Sequence, residues 1–451
     1  MTHNGPSPDS YRQRRETLLA RLNDAVLFLP PVEEARYSND VHYRYRPDSD
    51  TRYLSGFEEP CSLMLVAGDC ESKGFSMFVR ERDPQSETWT GRRAGLEGAR
   101  ETYGADNAWA LEQGEEKLEQ ALGCARTLYY GFGRSADSDR AMLELVKRVN
   151  SGRPRSGLAP LVLHDSSELM SEMRLFKSDE EAELMRRSCA IAVQAHLAVL
   201  EDLRPGHSES DIEASVEYRF RRGGCSGPAY GTIAAAGNNA TVLHYTSNLG
   251  TPGQGDLVLL DAGGEYGGYA ADITSTFPMS ADWTDAQAEL YDLVLAAQRS
   301  ALAQVKPGSS CDSVHRAALG VLVQGMHDLG LLEGSDTSAS LESGAYQPYY
   351  MHRTSHWLGM DVHDVGSYRD DEGPRPLAAG MVLTVEPGIY VRRDSEAPER
   401  FRGIGIRLED DVLVTADGND NLTGALPRER DEISRIRRAA LSRPRVSTGR
   451  R

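Results

Sequence analysis

Cysteine is scarce in this chain and scattered. The six positions, Cys61, Cys70, Cys124, Cys189, Cys225 and Cys311, form no zinc or redox spacing. That excludes a disulfide scaffold and predicts a reducing, cytoplasmic setting. No apolar run approaches the ~20 residues of a membrane span, so no membrane role is expected. The start, Met1-Thr2-His3-Asn4-Gly5-Pro6, lacks the charged and apolar regions of a signal peptide. Positive charge is also short, with 50 Lys and Arg against 68 Asp and Glu and a formal net charge of −18. Such a balance argues against nonspecific nucleic-acid binding. At 451 residues the chain exceeds one ordinary core, and two domains are expected.

What is present is a patterned use of acids. Gly255-Asp256-Leu257-Val258-Leu259-Leu260-Asp261 and Gly380-Met381-Val382-Leu383-Thr384-Val385-Glu386 each run from Gly through a short apolar strand to a carboxylate six residues later. Each is followed by a second acid in an apolar setting, Asp272 and then Glu409. Asp261 and Asp272 flank the turn Gly263–Gly268. A hairpin centred between Tyr266 and Gly267 would set them directly opposite, where like charges destabilise. Burying such a pair unneutralised forces protonation or a large cost. A two-metal site, with ions ~3.5–4 Å apart, removes the conflict. Solvent-facing acids on a hairpin are the plainer reading of one pair. Two pairs and a histidine cluster favour metal.

Residues 1–15 are polar and read as mobile. Strands are predicted at Ala25–Pro30, Leu63–Ala67, Phe75–Val79 and Leu128–Tyr130. Helices are predicted near Arg14–Leu22, Leu111–Leu122 and Asp139–Val149, with Asn150–Pro160 a loop. This mixture is an α/β domain over residues 1–173. A capping box at Ser178 opens a long helix stopped by Pro205-Gly206, and Ser208 caps the next. A helix from about Asp285 to Val305 meets Lys306-Pro307-Gly308, and another starts near Ser310. Helix, Pro-Gly turn, helix, then acid-tipped strands thus occurs twice between residues 174 and 440. This is an internal pseudo-twofold duplication that converges four acids on one axis. Residues 441–451 are basic and contain Gly, Pro and Ser, and read as a disordered tail.

The segment Met351–Asp364 carries His352, His356 and His363. The first two have the i,i+4 spacing of a helical metal pair, but the Gly- and Val-containing continuation disfavours a long helix. One nitrogen ligand among four carboxylates suits Mn²⁺, Co²⁺ or Zn²⁺ rather than a structural zinc cage.

Leu260-Asp261-Ala262-Gly263, Asp272–Phe277, Ser355-His356-Trp357-Leu358-Gly359, Val385-Glu386-Pro387-Gly388 and Gly405–Asp410 together resemble the pita-bread dinuclear metallopeptidases. The short span between Glu386 and Glu409 resembles the aminopeptidase P branch, as does Asp48–Phe57 in the N-terminal part. The resemblance implies an α+β pita-bread catalytic domain over 174–440. It implies two divalent ions per subunit, Mn²⁺ by preference, on Asp261, Asp272, His356, Glu386 and Glu409, with Asp272 and Glu409 bridging. It further implies removal of the N-terminal residue from peptides with proline second, through a metal-bridging hydroxide. Glu386, His363 and His244 take the catalytic roles. Tyr230, His352 and Arg407 line the proline side.

Arg353 departs from the small residue usual at its position. Trp89, on a polar Gly-containing loop, resembles the family loop that reaches a neighbouring subunit's active-site mouth. That implies a homotetramer, a dimer of dimers. The alternatives are a prolidase restricted to dipeptides, an organophosphate hydrolase on the same metals, and a non-enzymatic scaffold. Such a scaffold would have lost ligands, and none is lost here.

Overall fold

The computed structural model describes residues 5–60, 62–68 and 73–443. They form two compact units, Gly5–Arg174 and the chain from Leu175 onward.

The first unit is built on a six-stranded sheet. Its spatial order is Asn107–Ala110, Gly74–Val79, Leu63–Ala67, Ala25–Leu29, Thr127–Tyr130 and Val162–His164. Pairing is antiparallel at the centre and parallel toward both edges. The three central strands are buried at every residue, which is why they read as unbroken apolar runs rather than alternating ones. Residues 1–15 were expected to be mobile, but a helix spans Pro8–Leu22. Ser7 caps it and Pro8 fits its first turn, where no amide partner is needed. The buried Arg14 and Arg15 guanidiniums donate to the carbonyls of Tyr53 and Leu54 at 3.0 and 2.8 Å. Their polarity in the sequence concealed an inward-facing role. The predicted loop Asn150–Pro160 is likewise shorter, because the helix Ala136–Gly152 runs into a 3₁₀ turn at Arg153–Ser156.

In the second unit the helices Asp179–Asp202 and Glu209–Gly223 precede one strand group, and Asp285–Leu302 and Cys311–Asp328 precede the other. Reciprocal capping boxes at Ser178, Ser208 and Thr284 start three of them. Leu257–Asp261 lies between Ile233–Ala236 and Thr274–Pro278, antiparallel to both. Val382–Val385 pairs with Asp410–Val414, and Gly388–Val391 with Ile404–Arg407. A large core of aliphatic and aromatic residues joins these strands to the helices, and a smaller cluster around Ile233, Leu259 and Tyr390 lies on the strands as well. The last helix, Arg430–Ser442, runs past residue 441. The rest of the predicted tail, residues 444–451, lies outside the described residues, as do Cys61 and Cys70.

Candidate metal centre

Strand register delivers the acids, though not as expected for the first pair. Asp261 pairs with Thr274, not Asp272. The hairpin turn is Gly267-Gly268, with φ of 61° and 92°, flanked by the pair Tyr266 and Tyr269. Two successive positive φ angles suit the primed turns of two-residue hairpins, and glycine takes them without strain. This moves the centre one residue along. Asp272 then falls opposite Gly263. The backbones approach so closely there that a Cβ on Gly263 would lie 1.6 Å from the Ala271 carbonyl oxygen. In the second pair, Glu386 and Glu409 lie between the partners Val385–Asp410 and Gly388–Arg407, in one continuous register. They therefore face each other directly.

His356 arrives on an extended segment, not a helix. Thr384 N–H donates to the His356 carbonyl at 3.0 Å and Glu386 N–H to the Thr354 carbonyl at 2.8 Å, so the segment runs alongside Val382–Val385. The i,i+4 spacing of His352 and His356 is thus not a helical pair. His356 Nδ1 lies 3.0 Å from the Trp357 carbonyl, which makes it the protonated nitrogen. Nε2 is left 3.4 Å from Asp272 and 3.8 Å from Glu386. Single ligand atoms of Asp272, His356 and Glu409 lie within 4.8 Å of one another.

Around them the polar groups are partnered. The Tyr230 hydroxyl donates to Asp261 Oδ1 at 2.7 Å, and the buried Arg407 guanidinium reaches the other oxygen. Thr274 donates to Glu409 at 2.7 Å and accepts from Arg407 Nε at 3.1 Å. Arg407 also donates to the Tyr390 hydroxyl at 3.0 Å, and that oxygen lies 2.8 Å from His352 Nε2. His352 Nδ1 meets the Arg353 carbonyl at 2.8 Å. The chain Arg407–Tyr390–His352–carbonyl therefore fixes His352 as the neutral Nδ1–H tautomer. Burial, aided by Arg407, pushes its pKa down to about 3. Asp411 accepts from the Asp272 amide at 2.9 Å and holds that segment in place.

The electrostatics fit bound divalent metal. Burial raises Asp261, drives Glu409 well up and lifts Glu386 to about 7. Burial opposes a charge on His356, yet Asp272 and Glu386 outweigh it and raise that imidazole to about 9. By themselves these residues hold protons to offset four clustered carboxylates, and Arg407 is a single compensating charge. Oxygen-rich donors with one imidazole, held by further hydrogen bonds, are what divalent metal requires in place of those protons.

A cavity of about 880 Å³ opens here, lined by Asp261, Asp272, His356, Glu386 and Glu409. Tyr230, His244, His352, His363 and Arg407 line it as well. His244 and His363 are exposed, so their rings are available to a substrate, and the His363 ring lies 4.5 Å from that of His356. Trp89 lies in the other unit. It sits in the last turn of a short helix, Pro84–Thr90, rather than on a loop, and is 86% exposed. Asp83 caps that helix and Pro84 starts it, a signal the loop reading overlooked. Thr274, Tyr390 and Asp411 were not foreseen. Thr274 follows Asp272 by two residues, and period-two alternation could have pointed to it.

Residues 183–416 match metallopeptidase family M24, and residues 11–129 match the N-terminal domain of aminopeptidase P. The chain belongs to the M24 metallopeptidase family and carries that companion domain in front of it. It is 40% identical to the Xaa-Pro aminopeptidase of Escherichia coli K12, over 96% of this chain and 98% of that protein. It is 34% identical to human Xaa-Pro aminopeptidase 3, over 88% of this chain and 78% of the relative. Among solved structures, Pseudomonas aeruginosa aminopeptidase PepP superposes with a TM-score of 0.92 at 40% identity, covering 97% of this chain and 99% of that one. Zinc-substituted E. coli aminopeptidase P in complex with product gives 0.92 at 38% identity, covering 97% and 100%.

Proposed function

We infer that this chain is a metal-dependent aminopeptidase that releases the N-terminal residue from peptides with proline in the second position. What supports this is the gathering of Asp272, His356 and Glu409 in one cavity with Asp261 and Glu386, in a chain alike to Xaa-Pro aminopeptidases over nearly its whole length. In this reading Asp261, Asp272, His356, Glu386 and Glu409 hold two divalent ions, with Mn²⁺ the proposed species. Bound there, the ions supply a nucleophilic water near neutral pH and polarise the scissile carbonyl.

The side chains do the rest. Glu386 takes the proton of the attacking water and returns it to the prolyl nitrogen as the C–N bond breaks. His363 and His244 donate to the developing oxyanion and to substrate carbonyls. Tyr230, kept protonated by burial and by the neighbouring acids, stays a donor on the proline side with His352 and Arg407. The prolyl amide lacks an N–H, so recognition rests on shape and on the carbonyl.

Trp89 acts in trans in the same reading, covering the proline side of a neighbouring subunit in a homotetramer. Its extreme exposure supports this, since a tryptophan gains little from facing water. A cytoplasmic setting is consistent with the free Cys124, Cys189, Cys225 and Cys311. The test is turnover of Xaa-Pro dipeptides against longer Xaa-Pro peptides with added Mn²⁺. Cleavage of the longer peptides is expected, and turnover confined to dipeptides would move the chain to the prolidase reading. Mixing Trp89→Ala protein with Glu386→Ala protein is expected to restore partial activity. A fully active monomer by light scattering would refute the trans arrangement.

A further inference from the structure

Two arginines stand at one side of the acid-lined cavity. Arg353 and Arg369 both line it and both donate to the single carboxylate of Asp312, Arg369 at 3.0 Å. Asp312 sits in the first turn of Cys311–Asp328, and its side chain is 25% exposed. The arginine side chains are 61% and 63% exposed. A guanidinium carries five N–H donors. Two arginines on one acid leave a net positive charge, and no other protein acceptor engages their side chains among the described residues. Asp370, which follows Arg369, is occupied in its own turn, accepting from the Glu372 and Gly373 amides at 2.9 and 3.0 Å.

Both arginines are anchored next to the reacting region. Arg353 follows His352, whose Nδ1 is 3.6 Å from Glu386. Arg369 follows Tyr368, whose ring stacks on Trp357 at 5.1 Å and whose hydroxyl accepts from the Trp357 amide at 2.8 Å. The neighbouring backbone is thus fixed while the guanidiniums stay hydrated. His352 belongs to the proline side, so the arginines face the leaving peptide beyond it. An extended chain rises about 3.3 Å per residue, which brings the next residue or two within an arginine's reach.

We propose that Arg353 and Arg369, braced by Asp312, form a carboxylate-reading rim that favours substrates with a carboxylate just beyond the proline. The proposal rests on the Xaa-Pro aminopeptidase reading. The carboxylate has two sources, the C-terminus of a tripeptide or an acidic side chain at the third position. Guanidinium and carboxylate pair through charge-assisted, planar hydrogen bonds, and lysine or a lone arginine would do this less well. The rim also offsets the repulsion that the acid-lined interior exerts on an anionic peptide.

The experiment compares kcat/KM within two isosteric pairs. Ala-Pro-Ala against its C-terminal amide tests the terminal source. Ala-Pro-Glu-Ala-amide against Ala-Pro-Gln-Ala-amide tests the side-chain source. The wild type is expected to prefer the carboxylate member of at least one pair by about three- to tenfold at low salt, and less in 0.5 M NaCl. Whichever pair shows the preference identifies the source. Arg353→Gln/Arg369→Gln is expected to bring that ratio near one. Asp312→Asn frees both guanidiniums and is expected to raise it, which keeps the proposal testable should the double variant fold poorly. A bracing role alone would lower all rates together and leave the ratio unmoved. Ratios near one in the wild type for both pairs, or an unchanged ratio in the double variant, overturn the rim. Failure of the underlying reading looks different, since then neither neutral amide peptide is cleaved.

Discussion

Replacing Glu386 by Gln is expected to stabilise the metal-free protein while destroying its activity. Glu386 is raised from its ordinary 4.5 to about 7 by burial, with Asp272 and Asp261 adding to the rise against His356 and Arg407. Between those two values the folded chain keeps a proton that the unfolded chain has released. Stability from this group is therefore present at low pH, falls as pH rises from 4.5 to 7, and stays low above 7. The full difference is about 3 kcal/mol. Gln cannot ionise, so it keeps the folded-state advantage at every pH. Linkage puts the gain of Glu386→Gln over wild type at under about 1 kcal/mol at pH 5 and about 3 kcal/mol at pH 8. The assay is urea denaturation of chelator-treated protein at both values, where about 3 kcal/mol moves the midpoint by about 1 M. With Mn²⁺ added the order reverses at pH 5 and the gap at pH 8 all but closes. Metal at 100 times its dissociation constant stabilises the intact site by about 2.7 kcal/mol, and the variant has lost a ligand. An equal gap at pH 5 and pH 8, or a less stable variant at pH 8 without metal, would refute the reasoning.

His363→Ala is expected to lower kcat by about 10²–10³ with metal content unchanged, the loss typical of one oxyanion donor; loss of metal by elemental analysis would make the residue structural. Lys177 and Asp364 form an ion pair at 3.0 Å with side chains 1% exposed. Lys177→Met removes the cation beside the buried carboxylate and should cost about 3–5 kcal/mol in denaturant titration, part of it recovered by adding Asp364→Asn. Asp272→Asn or Glu409→Gln should abolish turnover and lower bound metal, and full activity of a metal-free preparation would contradict the assignment. Gly263→Ala should fail to form an active site, since its Cβ would overlap the Ala271 carbonyl; native thermal stability and rate would count against that close approach.

Much of the site was legible because metal chemistry constrains residue type. Acids ending apolar strands are costly, so they stand out from ordinary surface acids. The long helices were legible for a similar reason, since Ser178, Ser208 and Thr284 announce their starts with reciprocal caps. The helix Pro8–Leu22 begins earlier than its apolar pattern shows, because residues 8–13 are mostly polar and only the Ser7-Pro8 start marks them; its Arg14 and Arg15 look solvated until their carbonyl partners are known. The sequence around Trp89 reads as a loop because it is polar and contains Gly91, although Asp83-Pro84 is a helix start.

By itself the sequence determined the repeated order of helices and acid-tipped strands and the family to which the chain belongs, and it pointed to a metal-type set of acids and one histidine. Tertiary structure decided the pairing. A one-residue shift of the Gly267-Gly268 turn set Asp261 against Thr274 and Asp272 against Gly263, because register depends on which glycines take positive φ. It also decided that His356 comes from an extended edge beside Val382–Val385, since that edge's partner lies far along the chain. The outer shell of Thr274, Tyr390 and Asp411, and the joining of Arg353 to Arg369 through Asp312, are contacts between distant segments. Local pattern cannot encode such contacts, because they exist only once the backbone has closed.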